Sequence, residues 1–152
     1  MENREEIRIA IGSDHAGFEL KQKIIGFLND KKFTAVDFGC NSKESVDYPD
    51  YAIKVAKAVY DGEALKGILI CGTGSGMSIV ANKVKFIRAA NCLSKEMAEL
   101  AVGHNNINVL CLGARLIGED LAKEIVDSFL SAKFENGRHI RRIEKTHNYT
   151  GI

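Results

Sequence analysis

The chain has 152 residues, 45% of them hydrophobic, and its 21 basic and 20 acidic side chains leave a formal net charge of +1. This length fits one domain, and the hydrophobic fraction excludes a disordered chain. The near-neutral charge excludes a protein that binds nucleic acid by bulk attraction, because the basic residues cluster only in the short stretch 138–142.

The sequence also argues against an exported or membrane protein. It begins with a polar extension over residues 1–6, and its apolar runs are too short for a membrane span. The four cysteines show no paired spacing, which is typical of reduced thiols: Cys40, Cys71, Cys92 and Cys111. We therefore expect a cytoplasmic protein without a membrane partner.

Short apolar runs alternate with segments of helical periodicity along the chain. In chain order, the pattern predicts a strand over 7–11, a helix over 14–30, a strand over 33–38, a helix that begins at Pro49, a strand over 66–71 and a short helix over 77–82. It then predicts a strand over 86–91, a helix that carries Met97, Ala98 and Ala101, a strand over 109–112, a helix whose apolar stripe runs over 121–130, and a basic, partly helical tail over 134–152. This alternation predicts one domain over 1–152, with a three-layer α/β/α, Rossmann-like fold and a five-stranded, mostly parallel sheet.

In such a sheet, ligands bind at the carboxyl ends of the strands, so the residues that follow each strand are the candidates for chemistry. Asp14 and His15 follow the first predicted strand, the segment 71–76 follows the third, and Arg115 follows the fifth. Tyr48 precedes the second helix, and the pair His104 and Asn105 precedes the fifth strand.

The segment CGTGSG, residues 71–76, follows a strand and opens a helix, so its backbone amides can point at one anionic group. It is not a Walker A loop, and Met77 occupies the third glycine position of the dinucleotide fingerprint. The loop therefore favours an oxyanion or a phosphate over a nucleotide, although a plain strand-to-helix turn has the same pattern. A helix N-terminus favours the thiolate form of cysteine, which makes Cys71 a candidate base or nucleophile. We expect the other three cysteines to be packing residues.

Histidine and arginine residues supply further candidates. His15 and His104 are each expected in a loop beside a second polar residue, where they would suit proton transfer or would simply be exposed. No two histidines have metal-ligand spacing, so we expect no metal site, and we expect His139 and His147 at the surface. Arg138 and Arg142 are four residues apart, hence on one helical face, where they form either a phosphate clamp or a solvated tail.

Six motifs in order carry a resemblance that no single motif would carry. They are GSDHAG at 12–17, SVDYPD at 45–50, CGTGSGM at 71–77 with ANK at 81–83, HN at 104–105, LGAR at 112–115 and GRHIRR at 137–142. With these motifs the chain closely resembles the RpiB/LacAB family of sugar-phosphate isomerases, over residues 7–143.

The resemblance implies an isomerase that interconverts D-ribose 5-phosphate and D-ribulose 5-phosphate through an enediolate, in the non-oxidative pentose phosphate pathway, with no metal or other cofactor. Cys71 matches the family's base, and Thr73 would support the thiol or a substrate hydroxyl. His104 matches the histidine that opens the sugar ring, with Asp14 as its partner. The other matches bind the substrate: the amides of Gly72, Gly74, Ser75 and Gly76 the oxyanion; His15, Arg115, Arg138 and Arg142 the phosphate; Tyr48 and Asn105 the sugar.

The resemblance further implies sites shared between two subunits, in a homodimer or a dimer of dimers. A partner chain would then bring the tail arginines to the glycine loop, from which they are distant in sequence. Two alternatives stay open: an allose-6-phosphate or galactose-6-phosphate isomerase, and a sugar-phosphate-binding regulator without activity. One chain holds the cysteine, the histidines and the arginines together, which favours a self-sufficient enzyme that acts on a pentose phosphate. The presence of both Cys71 and His104 favours an enzyme over the regulator.

Overall fold

The computed structural model describes residues 6–152, so the predicted N-terminal extension lies outside it except for Glu6. The strands within this range are β1 (Arg8–Ser13), β2 (Thr34–Asp37), β3 (Lys66–Cys71), β4 (Ala89–Asn91) and β5 (Val109–Gly113). The helices are α1 (Phe18–Asp30), α2 (Tyr48–Tyr60), α3 (Ser75–Ala81), α4 (Lys95–Asn105), α5 (Glu119–Ser131) and α6 (Arg138–Thr150).

The strands form one sheet in the order β2-β1-β3-β5-β4, and every adjacent pair is parallel. In the register of the three central strands, Ser13 is paired with Ile70, and Cys71 is paired with Gly113. The carboxyl ends of β1, β3 and β5 therefore lie side by side at one edge of the sheet.

Helices cover both faces of the sheet, because successive side chains of a strand point to opposite faces. Ile68 and Ile70 of β3 belong to a buried cluster that includes Ile24 of α1 and Phe129 of α5. Leu69 and Cys71 belong to a second cluster, on the side of α2 and α3. The predicted three-layer, Rossmann-like α/β/α fold is confirmed, and α6 packs outside these layers against α4.

Local signals determine the ends of the helices that carry candidate residues. Pro49 lies in the first turn of α2, as predicted. The Ser94 hydroxyl accepts the amide of Met97 at 3.1 Å and so caps the N-terminus of α4. Asn106 adopts a left-handed conformation, with φ of 47°, and ends the same helix. His104 and Asn105 therefore lie in the last turn of α4, and the prediction that they belong to a loop was wrong.

Two other boundaries differ from the sequence prediction. The first helix begins at Phe18 rather than at Asp14, because the Asp14 carboxylate accepts the amide of Gly17 at 3.1 Å and holds a turn before the helix. The strand β4 begins at Ala89 rather than at residue 86, since Phe86 has a positive φ of 60° that no strand accommodates.

No helix in residues 6–152 combines the length and the apolar character that crossing a bilayer requires.

Candidate active site

Polar residues collect at the edge where β1, β3 and β5 end, as the sequence predicted. Asp14 directly follows β1 and is tied to the neighbouring strand, because its amide donates to the carbonyl of Ile70 at 3.2 Å. Cys71 ends β3, and its carbonyl accepts the amide of Ala114, just after β5, at 2.8 Å. The turns after these three strands thus form one connected surface.

The glycine loop directs a backbone amide at the sulfur of Cys71. The amide of Gly74 donates to the Cys71 Sγ at 3.1 Å, a contact that stabilises negative charge on sulfur. The hydroxyl of Thr73 accepts the amide of Ser75 at 3.3 Å, which leaves the Thr73 hydroxyl proton free to donate to a ligand. Cys71 is 5% exposed, so the thiol is nearly shielded from water.

One amide in the first turn of α3 is available to a ligand. Among the described residues, the amides of Gly76 and Met77 donate to no backbone or side-chain acceptor, but Met77 is fully buried, so only the half-buried Gly76 presents its amide to a ligand. Unpaired amides at the start of a helix are suited to bind an oxyanion. The unpaired amide of Gly76 therefore supports the interpretation of residues 71–76 as an anion-binding loop.

The other cysteines differ from Cys71 in their surroundings. Burial raises the pKa of Cys92 to about 11 and raises that of Cys111 further, so both remain thiols at neutral pH. Cys40 donates its S–H to the carbonyl of Ser42, at 3.3 Å. All four cysteines are free and buried, and among them only Cys71 accepts a hydrogen bond from a backbone amide within residues 6–152.

Asn91, at the end of β4, is a site residue that the sequence analysis missed. Its side-chain amide donates to the carbonyl of Thr73 at 2.9 Å, and its Oδ1 lies against Gly74. Gly74 has φ of 83°, and a Cβ on it would lie 2.3 Å from that oxygen. The sequence signal, one asparagine after an apolar strand, is too common to identify such a contact.

Three more of the predicted substrate residues surround the loop. The Nδ1 atom of His15 accepts the amide of Val46 at 3.2 Å, so the neutral imidazole carries its proton on Nε2 and can donate from there. The Arg115 guanidinium lies over Gly72, where a Cβ would be 3.0 Å from Nη1. The ring of Tyr48 lies against Gly76, where a Cβ would be 2.8 Å from the ring carbons.

A second group, which we call the α4–α6 cluster, combines three of the remaining predicted residues with two that were not predicted as site residues: His104, Asn105 and Arg138 with Glu135 and His139. His104 Nε2 lies 3.1 Å from Glu135 Oε2, and the His104 and His139 rings stack at 4.5 Å between centroids. Arg138 is the first residue of α6, and Arg142 lies one turn further on; both side chains are exposed. Their predicted placement on one helical face is confirmed.

His139 is only 7% exposed, so the prediction that it lies at the surface was wrong. Its burial lowers the pKa of His139 below the ordinary 6.5, and the neighbouring His104 and Arg138 add to the effect. The prediction failed because α6 is strongly polar, and a single buried position in such a helix leaves no apolar pattern. His147 is half-buried, and its Nδ1 lies 2.6 Å from the carbonyl of Ile152.

Within one chain the two groups remain apart. Among residues 6–152, no hydrogen bond or ion pair joins the α4–α6 cluster to the glycine loop or to Asp14. The expected pairing of Asp14 with His104 is therefore not made inside the chain, and neither tail arginine bonds to the loop.

The α4–α6 cluster also contains ligand types that metals prefer. His104, Glu135 and His139 each offer an atom, and these atoms lie within 4.8 Å of one another. The imidazole planes are nearly parallel, at 10°, so their nitrogen lone pairs cannot meet at one ion unless a ring turns. The spacing rule in the sequence could not anticipate this grouping, because it forms between two helices.

Comparisons with known proteins agree with this geometry. The family model described as Ribose/Galactose Isomerase matches residues 9–146. Ribose-5-phosphate isomerase B of Escherichia coli is 50% identical over 137 residues, which cover 90% of this chain and 92% of that protein. D-erythrulose-4-phosphate isomerase of Pectobacterium atrosepticum is 46% identical over 144 residues, which cover 94% and 95%.

A solved structure has the same fold throughout. The crystal structure of ribose-5-phosphate isomerase B from Mycoplasma genitalium with bound ribulose-5-phosphate aligns with a TM-score of 0.91 at 46% identity, covering 95% of this chain and 97% of that one. The family match, over residues 9–146, covers the strand-end residues and most of α6. The chain belongs to the Ribose/Galactose Isomerase family of sugar-phosphate isomerases.

Proposed function

We propose that this chain is an aldose–ketose isomerase that interconverts D-ribose 5-phosphate and D-ribulose 5-phosphate. The observation that carries the proposal is the Cys71 thiol at the end of β3, with the Gly74 amide on its sulfur and the unpaired amide of Gly76 in the next turn. A base beside oxyanion donors is what a proton transfer between two neighbouring carbons requires.

The reaction is a proton shuttle between C2 and C1 of the open-chain sugar. The Cys71 thiolate removes the proton from C2, the C–H electrons form the C1–C2 double bond, and negative charge moves to O1. The loop amides stabilise that charge, and the Thr73 hydroxyl donates to a substrate oxygen. The O2 hydroxyl proton then passes to O1 as Cys71 returns its proton to C1, which gives the ketose.

A second step precedes the shuttle, because the aldose is a furanose in water. In the proposed mechanism His104 opens this ring, with Asp14 as its partner and with Asn105 and Tyr48 beside the sugar. The phosphate binds to His15 and Arg115 on one side and to Arg138 and Arg142 on the other. Arginine suits this role because its planar guanidinium binds phosphate oxygens in pairs.

The residues around the glycine loop and those of the α4–α6 cluster come together if the site is shared between subunits of a homodimer. Met97, Leu100 and His104 follow one another at spacings of three and four residues, so they share one face of α4. Met97 is 44% exposed and Leu100 55%, which is unusual for large apolar side chains along one face. A partner chain that covers this face would place His104 of one subunit at the glycine loop of the other.

The proposal also covers location and chain organisation. We place the protein in the cytoplasm, where a reducing environment keeps its four free cysteines as thiols. We treat the chain as one isomerase domain, with the family match over residues 9–146.

The first test is isomerisation of ribose 5-phosphate by Cys71→Ala. Removal of a general base lowers kcat by about 10²- to 10⁴-fold, while the affinity for ribose 5-phosphate stays close to that of the unmodified protein. Cys92→Ala is the matched control, because it removes a buried thiol that belongs to a different buried cluster from Cys71, and it should retain full turnover. Normal turnover by Cys71→Ala would refute the assignment of the base.

A tetrose phosphate is the second candidate substrate, since a relative that is 46% identical bears the name D-erythrulose-4-phosphate isomerase. The pocket in an assembled dimer limits the length of the sugar. Turnover on tetrose, pentose and hexose phosphates, measured side by side, ranks the three. The proposal expects the highest kcat/KM on the pentose phosphate, and a higher value on either of the others would replace it.

A further inference from the structure

Glu135, which precedes α6, bonds to the side chain that the proposed mechanism uses for ring opening. Its Oε2 lies 3.1 Å from the Nε2 atom of His104. We propose that Glu135 is a positioning residue that fixes the tautomer and the orientation of the His104 imidazole. This inference rests on the proposed function for its catalytic consequence, but its structural part can be measured without substrate.

The chemistry of the pair selects one nitrogen for proton transfer. A carboxylate oxygen only accepts hydrogen bonds, so the Nε2 atom of His104 must carry a proton. In the neutral imidazole, Nδ1 is then the free basic nitrogen. Nδ1 takes the proton of the C1 hydroxyl while the bond from C1 to the ring oxygen breaks. The same proton then goes to the former ring oxygen, which becomes the C4 hydroxyl, so no co-reactant is needed.

The backbone is built to let the carboxylate reach His104. The amide of Glu135 donates to the carbonyl of Gly103 at 3.0 Å, which ties the segment before α6 to the last turn of α4. A Cβ at position 103 would lie 2.6 Å from Oε2 of Glu135, and the nearest atoms to it all belong to that side chain. Gly103 therefore leaves the space that the carboxylate occupies.

His139 restricts the imidazole from another side. Its ring stacks on that of His104 with an interplanar angle of 10°, so the plane of His104 is set by two contacts rather than one. Because the pKa of His139 is lowered, this ring stays neutral near pH 7 and does not repel a protonated His104. The Glu135 carboxylate is 58% exposed in the single chain, and exposed ion pairs add little stability, which favours a geometric role.

The test compares Glu135→Ala and Gly103→Ala with the control Glu144→Ala, which removes another exposed carboxylate, on α6. Gly103→Ala displaces the Glu135 carboxylate without removing it, and alanine favours a helix more than glycine does. Imidazole nitrogen NMR of His104 should show the Nε2-protonated tautomer in the unmodified protein and in the control. Both test variants should lose that preference.

The functional readout separates ring opening from the proton shuttle. Ribulose 5-phosphate cannot form a furanose, because its C5 hydroxyl carries the phosphate, so exchange of its C1 proton with deuterated water needs no ring step. In both test variants, turnover of ribose 5-phosphate should fall about 10- to 100-fold, as when other orienting partners of imidazoles are removed. The C1 exchange should continue at the rate of the unmodified protein.

Three results decide the matter. Equal losses in ring opening and in C1 exchange, or an unchanged His104 tautomer in both variants, would overturn the role of Glu135. Slow turnover of ribose 5-phosphate with normal exchange and an altered tautomer would establish it. If the unmodified protein converts neither sugar phosphate, the proposed function fails instead, and the NMR comparison still decides whether Glu135 sets the tautomer.

Discussion

At the scale of single residues, Gly74 is the most constrained position in the loop. Its φ of 83° lies in the left-handed region, and Asn91 occupies the space where a side chain would be. The same residue supplies the amide that contacts the sulfur of Cys71. One backbone conformation therefore forms the turn and also directs the amide at the sulfur. A substitution of Gly74 should disturb both.

Gly74→Ala should lower both stability and activity. A Cβ there strains the left-handed backbone and collides with the Asn91 side chain, so we expect a loss of about 1–3 kcal/mol in the free energy of unfolding. Gly26→Ala is the matched control: Gly26 is in the middle of α1 with no heavy atom within 4 Å of its Cβ position, and alanine should stabilise that helix. Urea denaturation measures the free energy of unfolding of each variant, and equal stabilities of the two variants would contradict the role of Gly74.

At the scale of elements, the sequence predicts what depends on periodicity. Each apolar strand and amphipathic helix was recognised, and parallel strands necessarily bring Asp14, Cys71 and Arg115 to one edge. Contacts between distant elements have no such signal. Asn91 contacts the loop from β4, and Glu135 contacts His104 from the segment before α6. Both were missed because nothing at their positions in the sequence indicates these contacts.

The packing of α6 on α4 should depend on pH through His139. Its pKa is lower in the folded protein than the ordinary 6.5, so the unfolded chain binds more protons as pH falls below that value. This contribution to stability is present above about pH 6.5 and is lost as pH falls from there through the lowered pKa.

The measurement is the free energy of unfolding from pH 7.5 down to pH 5, for the unmodified protein and for His139→Asn. The difference between the two should narrow toward acid pH, because the variant has no imidazole to protonate at this position. A constant difference across the range would show that the buried imidazole does not contribute to the pH dependence.

At the scale of the whole molecule, the main feature is that the predicted site residues fall into two separate groups within one chain. The glycine loop, His15, Tyr48 and Arg115 lie at the sheet edge, while His104 and the two tail arginines belong to the α4–α6 region. The near-zero net charge is consistent with this arrangement, because a few cations placed locally are enough for one phosphate. The sequence alone indicated a shared site only through the family resemblance, since periodicity says nothing about a partner chain.

The central claim is that Cys71 of one subunit works with His104 of the other, and mixed dimers test it most directly. Cys71→Ala and His104→Ala should each be inactive on ribose 5-phosphate as pure proteins. When they are co-expressed, half of the dimers formed by random pairing are mixed, and each has one intact site of two, so activity should return to about a quarter of that of the unmodified protein. Failure of verified mixed dimers to recover any activity would contradict the shared site.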